Sequence, residues 1–280
     1  MLLVWSANFI FAKLALRGAP ALLVVCLRTV LSGLFMIPVY LVFARRPGPR
    51  VRAVRARDLP RLAAVGVVGI VGNQLLFVLS LSRTSVAHGA IVSATGPLLV
   101  LGGAAALGQE RLTSRKLVGL LAAAVGVAVL QLSKAPAGAA STAGDLLMLG
   151  NAALFAAFSL LGKRAASRFG SLALTAVAFW GGGLLALPYA AWGLWRLGPG
   201  NVDLAARIGI LYMSIASIVG YLVYSYALRY LPASRVSSTV YFQPLAATLL
   251  AVVFLGEQPG LGYAAGAAVI LGGVWWAQRK

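Results

Sequence analysis

Apolar residues fill the chain in ten long runs, which are separated by short links that carry most of the charged residues. A helix needs about 20 largely apolar residues to cross the hydrocarbon core of a bilayer, and the runs approach that length. None of them alternates apolar and polar residues as a barrel strand does. The pattern predicts an all-α integral membrane protein with ten transmembrane helices, over residues 2–17, 21–44, 61–81, 86–108, 116–133, 144–163, 171–194, 205–228, 233–255 and 260–277.

One stretch of the chain occurs twice, which indicates a duplicated architecture rather than two unrelated hydrophobic hairpins. Matching residues of the stretch 81–127 recur 147 positions later, between residues 228 and 274. A second correspondence, at a spacing of 150 residues, pairs Lys13 of the first run with Lys163 of the sixth. The pairs at the spacing of 147 include Pro97 and Pro244, Ala104 and Ala251, Glu110 and Glu257, and Gly119 and Gly266.

The duplication predicts two halves that point in opposite directions across the membrane. A link rich in alanine, glycine and proline separates a first five-helix repeat, residues 1–135, from a second, residues 144–280. Because five is an odd number, two copies with the same internal order are inverted relative to each other. Inverted repeats typically form a binding site near the bilayer midplane. We therefore expect a secondary transporter that works by alternating access around a central cavity.

The composition agrees with lipid as the solvent for most of the chain. Of the 280 residues, 61% are hydrophobic and 10% are charged, whereas about a quarter of the residues in a soluble domain are charged. The net charge of +19 would suggest nucleic-acid binding in a soluble protein. Here the basic residues lie mainly in the short links, where they set the orientation of membrane helices. We expect contact with membrane lipids and no nucleic-acid partner.

Basic residues also predict which way the helices point. The link over residues 45–61 carries seven arginines, and short loops rich in lysine and arginine stay in the cytoplasm. Alternation along the chain then places most of the other basic residues on the same side, including Lys163 and the Arg279–Lys280 tail. Both termini are therefore expected in the cytoplasm.

The titratable residues do not form a catalytic or metal-binding set. The chain has one histidine, one cysteine and five acidic residues, and it lacks the GxSxG, HExxH and phosphate-loop motifs. Glu110 and Glu257 precede helices, where a carboxylate complements the free N–H groups of a helix N-terminus; the alternative is that they act as a proton carrier or a gate. We expect no enzyme activity, no catalytic residue, no metal and no cofactor.

Polar and aromatic side chains inside the apolar runs are the candidates for a binding site, because polar groups at membrane depth usually face a cavity or another helix. Gln74 and Phe77 share one face of the third helix. Their repeat partners, Tyr221 and Tyr224, form a stripe with Ser217 on the eighth helix. These residues are expected to line a cavity with aromatic walls. The alternative is that they only hold neighbouring helices together.

Three further helices contribute candidates. Trp5 and Asn8 share a face of the first helix, and Phe158 is the repeat partner of Asn8 in the sixth. Trp5 also suits an interfacial position near the start of a helix. His88 opens the fourth helix and is the one side chain that titrates near neutral pH without help. It suits proton coupling or a substrate contact, and equally a structural hydrogen bond.

Two further features have open interpretations. Arg28 flanks the outer end of the first helical hairpin, where it either snorkels to the interface or binds a substrate carboxylate if the cavity reaches it. Pro97 and Pro244 are expected to bend their helices. These bends serve either as flexing points for alternating access or as static kinks.

Several segments resemble the EamA family, a branch of the drug/metabolite transporter superfamily. They are the Trp-Ser-Ala-Asn-Phe-Ile-Phe-Ala-Lys-Leu-Ala-Leu run at 5–16, the Leu-Arg pair at 27–28, the stretch 97–110 and the Leu-Gly-Glu at 255–257, which precedes a glycine-rich final helix. The resemblance covers essentially the whole chain. It implies a multi-pass exporter of small metabolites, often amino acids, in the bacterial inner membrane. In this family the first, third, fourth, sixth, eighth and ninth helices surround the cavity.

The aromatic residues at those positions favour export of amino acids, including aromatic and bulky apolar ones. With no acidic residue central in a helix, facilitated transport or coupling through His88 fits better than coupling through a carboxylate. Glycine-rich faces suit a monomer or a weak homodimer. The alternatives are transport of another small metabolite or drug, and a non-transporting scaffold subunit. The expected substrate-binding residues are Trp5, Asn8, Gln74, Phe77, His88, Phe158, Ser217, Tyr221 and Tyr224.

Overall fold

The computed structural model describes residues 1–44, 53–132, 141–246 and 261–279, and helices are the regular structure found in these ranges. The all-α prediction is confirmed for this part of the chain. Residues 247–260, which hold Glu257 and the C-terminal part of the predicted ninth span, lie outside the described residues. The helices are α1 (Leu2–Gly18), α2 (Ala21–Ala44), α3 (Ala56–Leu81), α4 (Val86–Ser93 and Gly96–Ala106), α5 (Ser114–Leu132), α6 (Thr142–Phe169), α7 (Ser171–Leu197), α8 (Leu204–Tyr230), α9 (Ala233–Ser237, continued by a 3-10 turn over Ser238–Phe242) and α10 (Leu261–Gln278).

Six helical stretches in the described ranges are long and apolar enough to cross a membrane: Ala21–Ala44, Ala56–Leu81, Gly89–Ala106, Thr142–Phe169, Ser171–Leu197 and Leu204–Tyr230. Large apolar side chains on these helices face outward, as expected where lipid is the solvent,. The full number of spans and the side of the membrane on which each terminus lies stay predictions.

Helices α3 and α4 are irregular where they approach the centre of the bundle. A π-helical segment, Ala64–Gly72, occupies the middle of α3. Helix α4 is interrupted between Ser93 and Gly96, and Pro97 stands at the start of its second segment. Proline has no N–H to donate, and it is tolerated in the first turn of a helix. The interruption lies at the centre of the bundle, where Gly96 and Pro97 face a cavity.

Two lysines at the spacing of 150 bind equivalent carbonyl groups. Lys13 of α1 donates to the carbonyl oxygens of Leu81 and Thr84, where α3 ends. Lys163 of α6 donates to the carbonyl oxygen of Leu231, 2.7 Å away, where α8 ends. The lysine and the leucine are 68 residues apart in both cases. Each ammonium group complements the negative end of a helix dipole.

Helices α5 and α10 pack at very short distance through their glycines. A Cβ added at Gly273 would lie 2.6 Å from the carbonyl oxygen of Gly119, and one at Gly119 would lie 2.6 Å from the carbonyl oxygen of Gly273. A Cβ added at Gly126 would lie 2.8 Å from the backbone nitrogen of Ile270. Small residues at such crossings let helix backbones approach each other in a membrane. The glycine-rich faces of α5 and α10 are therefore buried against each other.

Replacing Gly273 with alanine is expected to lower the thermal stability of the purified protein, because the new methyl group meets backbone rather than a movable side chain. Overpacking of this kind costs roughly 1–3 kcal/mol. The neighbouring Gly272 is a matched control, since a Cβ there would meet nothing within 4 Å. Thermal unfolding in detergent tests both variants. Equal midpoints for Gly273→Ala and Gly272→Ala would contradict the observed packing.

Candidate functional site

A cavity lies at the centre of the bundle, between α1, α2, α3, α4, α6, α8 and α9. Its volume is about 100 Å³, and a buried water molecule needs roughly 10–15 Å³ on the same measure. The cavity therefore has room for a small molecule or several waters. Its lining residues are Trp5, Asn8, Phe9, Arg28, Asn73, Gln74, Phe77, Ser93, Gly96, Pro97, Asn151, Ala152, Phe155, Ser217, Tyr221, Val240 and Gln243.

Arg28 is the one cation among the lining residues that the structure describes. Its side chain is 1% exposed. One guanidinium nitrogen, Nη2, donates to Ser217 Oγ at 2.7 Å and to the carbonyl oxygen of Met213 at 3.3 Å. These two bonds fix the guanidinium against α8. Its Nε and Nη1 have no hydrogen-bond partner in the described structure, so donors remain for an anion.

The cavity also presents amide groups without partners. In the described structure Asn8 Oδ1 and both polar atoms of the Gln74 side chain lack hydrogen bonds. Buried polar atoms are normally paired. Because both residues line the same cavity as Arg28, these groups are candidates for hydrogen bonds to a bound molecule.

A second set of amides is hydrogen-bonded within the protein and joins α3 to α6 and α8. Asn73 Nδ2 donates to the carbonyl oxygen of Asn151 at 2.8 Å, and Asn151 Nδ2 donates to the carbonyl oxygen of Asn73 at 2.7 Å. The hydroxyl of Tyr221 donates to Asn73 Oδ1 at 2.8 Å. This network holds the Tyr221 ring at the cavity wall. The two asparagines therefore position Tyr221 and tie α3 to α6 at the cavity.

Aromatic rings form one wall of the cavity. Trp5 packs against Tyr221 with ring centroids 5.5 Å apart and against Phe155 at 6.1 Å. Two further lining residues, Phe9 and Phe77, meet edge to face at 5.0 Å. Such contacts hold the rings in fixed orientations. The wall therefore offers a rigid apolar surface next to the guanidinium.

A smaller cavity of about 70 Å³ adjoins the first and shares four lining residues with it. It extends between α1, α4, α5 and α9, toward Ile10, Ala94 and Tyr241. Its surroundings are mainly apolar. Together the two cavities give an elongated space with the charged group in the larger part.

Six of the nine predicted site residues line the central cavity: Trp5, Asn8, Gln74, Phe77, Ser217 and Tyr221. Phe158 and Tyr224 are buried behind the wall instead, 1% and 0% exposed. The Tyr224 hydroxyl bonds to Ser159 Oγ at 2.7 Å, and a Cβ at Gly69 would lie 2.7 Å from that of Phe158. These two residues support the lining rings. The side chain of His88 lies outside the described residues.

Sequence reasoning missed several lining residues. Phe9, Asn151 and Gln243 were not among the candidates, and Arg28 was left open between an interfacial and a ligand-binding position. The sequence predicts Asn73 on a face of α3 next to that of Phe77, whereas the two residues, four positions apart, both line the cavity. No residue spacing in the sequence pointed to Asn151, because its place in the cavity depends on the packing of α6 against α3.

Glu110 makes a contact between the two sequence halves at one end of the bundle. Gly108, with φ of 64°, turns the chain after α4, and Glu110 then accepts hydrogen bonds from the backbone N–H and hydroxyl of Ser234 in α9. Lys116 pairs with it at 2.8 Å. Burial alone would raise the pKa of Glu110, because it disfavours the charged carboxylate. The hydrogen bonds from Ser234 and Lys116 outweigh this effect, so the pKa of Glu110 is lowered from its ordinary value. The carboxylate complements the start of α9, not of the next helix, α5.

Comparison with known proteins identifies a family. The sequence model of the EamA-like transporter family matches residues 1–132 and 142–278. An uncharacterized transporter of Archaeoglobus fulgidus is 27% identical over 283 residues, which cover 100% of this chain and 95% of the relative. A probable terminal-alkyne amino-acid exporter of Streptantibioticus cattleyicolor is 27% identical over 251 residues, with 89% and 83% covered.

A solved crystal structure has a similar fold. It superimposes with a TM-score of 0.77 at 20% identity and covers 99% of this chain and 93% of its own. At this identity the likeness concerns the fold.

Proposed function

Because the chain belongs to the EamA-like transporter family, we propose that it is an inner-membrane secondary transporter that exports small carboxylate-bearing metabolites. Amino acids with aromatic or bulky apolar side chains are among its substrates. The observation that carries this proposal is Arg28, a buried guanidinium in the lining of the central cavity, two of whose nitrogens have no hydrogen-bond partner in the described structure. The name of the Streptantibioticus relative, a probable amino-acid exporter, agrees with it.

Arg28 binds the substrate carboxylate in this proposal. A buried charge is costly unless an opposite charge and hydrogen bonds compensate it. None of the described residues that line the cavity is acidic, which leaves the occupant as the source of a compensating anion within this lining. The guanidinium has a planar fork of donors that matches a carboxylate. Ser217 holds one arm of that fork, which leaves the other donors for the ligand.

The aromatic wall binds the rest of the substrate. Trp5, Tyr221 and Phe155 offer ring faces and edges beside Arg28, and apolar side chains gain by burial against such surfaces. The adjoining smaller cavity gives a bulky side chain space to extend. Asn8 and Gln74 supply acceptors and donors for the remaining polar groups of the substrate.

We further propose that the chain consists of two inverted halves that rock around this cavity. The family model matches each half separately, and Lys13 and Lys163 bind carbonyl groups at the same offset within each half. Both findings support the repeat. The basic links support cytoplasmic termini. The contact of Glu110 with Ser234 joins the halves at the predicted cytoplasmic end, so alternating access requires it to open when the cavity faces that side.

Counterflow in liposomes tests the proposed function. Purified protein is reconstituted into vesicles loaded with unlabelled phenylalanine, and the uptake of labelled phenylalanine is followed with and without an imposed pH gradient. We expect saturable uptake that leucine and tryptophan inhibit. Uptake that follows the gradient would favour coupling through His88, and indifference to the gradient would favour facilitated transport.

Protein-free vesicles and vesicles with heat-unfolded protein are the controls. Folded protein that exchanges neither amino acids nor other small carboxylates would contradict the proposal. The remaining alternatives would then be transport of a different class of metabolite or drug and a non-transporting scaffold.

A further inference from the structure

We propose that the cavity selects for the carboxylate alone, so that small apolar monocarboxylates without an ammonium group bind more tightly than the corresponding amino acids. This inference rests on the proposed function of Arg28. The juxtaposition that carries it is one buried guanidinium, several neutral amides and aromatic rings, in a cavity whose described lining has no acidic side chain.

The acidic residues of the described chain are all engaged away from the cavity. Asp203 caps the start of α8 through the N–H of Ala206, at 2.6 Å. Asp145 accepts a hydrogen bond from Thr84 at 2.9 Å, and Asp58 accepts one from the backbone of Arg55. Glu110 is held by Lys116 and Ser234. None of these carboxylates lines the cavity, so within the described residues nothing balances a substrate ammonium group.

The charge balance of the occupied site then differs between two classes of ligand. A monocarboxylate brings one negative charge to the one positive charge of Arg28, and the buried site becomes neutral. A zwitterionic amino acid brings an ammonium group as well, and the site keeps a net positive charge. Because a buried charge without a partner is strongly unfavourable, the monocarboxylate is the better match.

Neutral groups offer the ammonium only partial compensation. Asn8 Oδ1 and the Gln74 side-chain oxygen are free acceptors, and the faces of Trp5 and Tyr221 attract cations weakly. However, the same ammonium has lost its water and lies in one small cavity with the Arg28 guanidinium. We therefore expect the α-amino group to be tolerated rather than selected. Oxo acids, hydroxy acids and simple carboxylic acids with an apolar body are the chemical class that fits best.

Ligand pairs that differ in one charged group test this inference. The counterflow of labelled phenylalanine is inhibited with 3-phenylpropionate, which lacks the ammonium, and with phenethylamine, which lacks the carboxylate. We expect 3-phenylpropionate to inhibit at a concentration about tenfold or more below that of unlabelled phenylalanine. Phenethylamine is expected not to inhibit. If phenylalanine inhibits as well as 3-phenylpropionate or better, the inference is wrong.

A near-isosteric variant tests the same charge argument from the protein side. Gln74→Glu introduces a carboxylate into the cavity lining, and it should shift the ratio of the two inhibition constants toward phenylalanine. A ratio that does not change would count against the inference. Failure of this inference can be distinguished from failure of the proposed function. If phenethylamine inhibits as well as both carboxylates, the proposed carboxylate site itself is wrong, whatever the order of the other two ligands.

Discussion

Replacing Arg28 with glutamine is expected to abolish saturable transport of carboxylate substrates while the protein stays folded. The guanidinium is the only cation that the described residues present to the cavity, and two of its nitrogens have no other partner. Hydrogen bonds to charged groups contribute about 1.5–3 kcal/mol each. Losing two of them lowers apparent affinity roughly 100-fold or more. The measurement is the concentration dependence of counterflow.

Stability separates a binding role of Arg28 from a structural one. Because the guanidinium is buried without a counter-ion among the described residues, its removal should leave the empty protein as stable as before or make it more stable. Arg28→Lys keeps the charge but loses the planar fork, so an intermediate affinity is expected. Arg207→Gln is the matched control, since Arg207 bonds to the carbonyl oxygens of Val202 and Pro199 at the start of α8. Equal transport by Arg28→Gln and Arg207→Gln would overturn the assignment.

Replacing Gly220 with alanine is expected to displace Trp5 and impair transport almost as strongly. A Cβ at Gly220 would lie 1.9 Å from Trp5 Nε1, a distance that no side chain tolerates. The indole has to leave its place between Tyr221 and Phe155, which removes one ring of the cavity wall. Misplacement of a site residue by ~1 Å can cost roughly 100-fold in rate. Counterflow and thermal unfolding are measured together.

A double-mutant cycle shows whether the effect acts through Trp5. In a Trp5→Ala background the added methyl group of Gly220→Ala has space, so its cost in thermal stability should largely disappear. Gly102→Ala is the control, because a Cβ there would meet nothing within 4 Å. If Gly220→Ala costs the same stability with and without Trp5, the contact is not the cause.

Much of the fold follows from the sequence alone. Lipid requires every backbone group to be paired within helices or a closed barrel, and long apolar runs without the alternation of barrel strands leave the helix as the element type. Periodicity also found much of the cavity lining on α3 and α8. Residues three or four positions apart share a face, and Gln74 with Phe77 and Ser217 with Tyr221 do line the cavity.

The sequence could not show how each face is rotated within the bundle. Tyr224 belongs to the same stripe as Tyr221, yet it points toward Ser159 and away from the cavity. Phe158 fills the space left by Gly69 on another helix. The positions of both side chains depend on how α6 packs against α3 and α8. Residue spacing within a single helix gives no information about that packing.

Arg28 was the most consequential residue that the sequence left undecided. An arginine in the first third of an apolar helix can reach the interface with its long side chain. Its actual course is set by Ser217 and Met213 on α8, which are 189 and 185 residues away in the chain. The structure therefore shows where this side chain points, which the sequence could not, and this direction places a guanidinium in the cavity lining.

Direct binding of phenylalanine and phenylalaninamide is the most direct test of the central claim that Arg28 holds a substrate carboxylate. The two ligands share the ring and the amino group, and the amide lacks the negative charge. Calorimetric titration of the purified protein should show binding of phenylalanine and little or none of the amide, and Arg28→Gln should remove the difference between them. Equal binding of both ligands by the unmodified protein, or an undiminished preference in Arg28→Gln, would contradict the account.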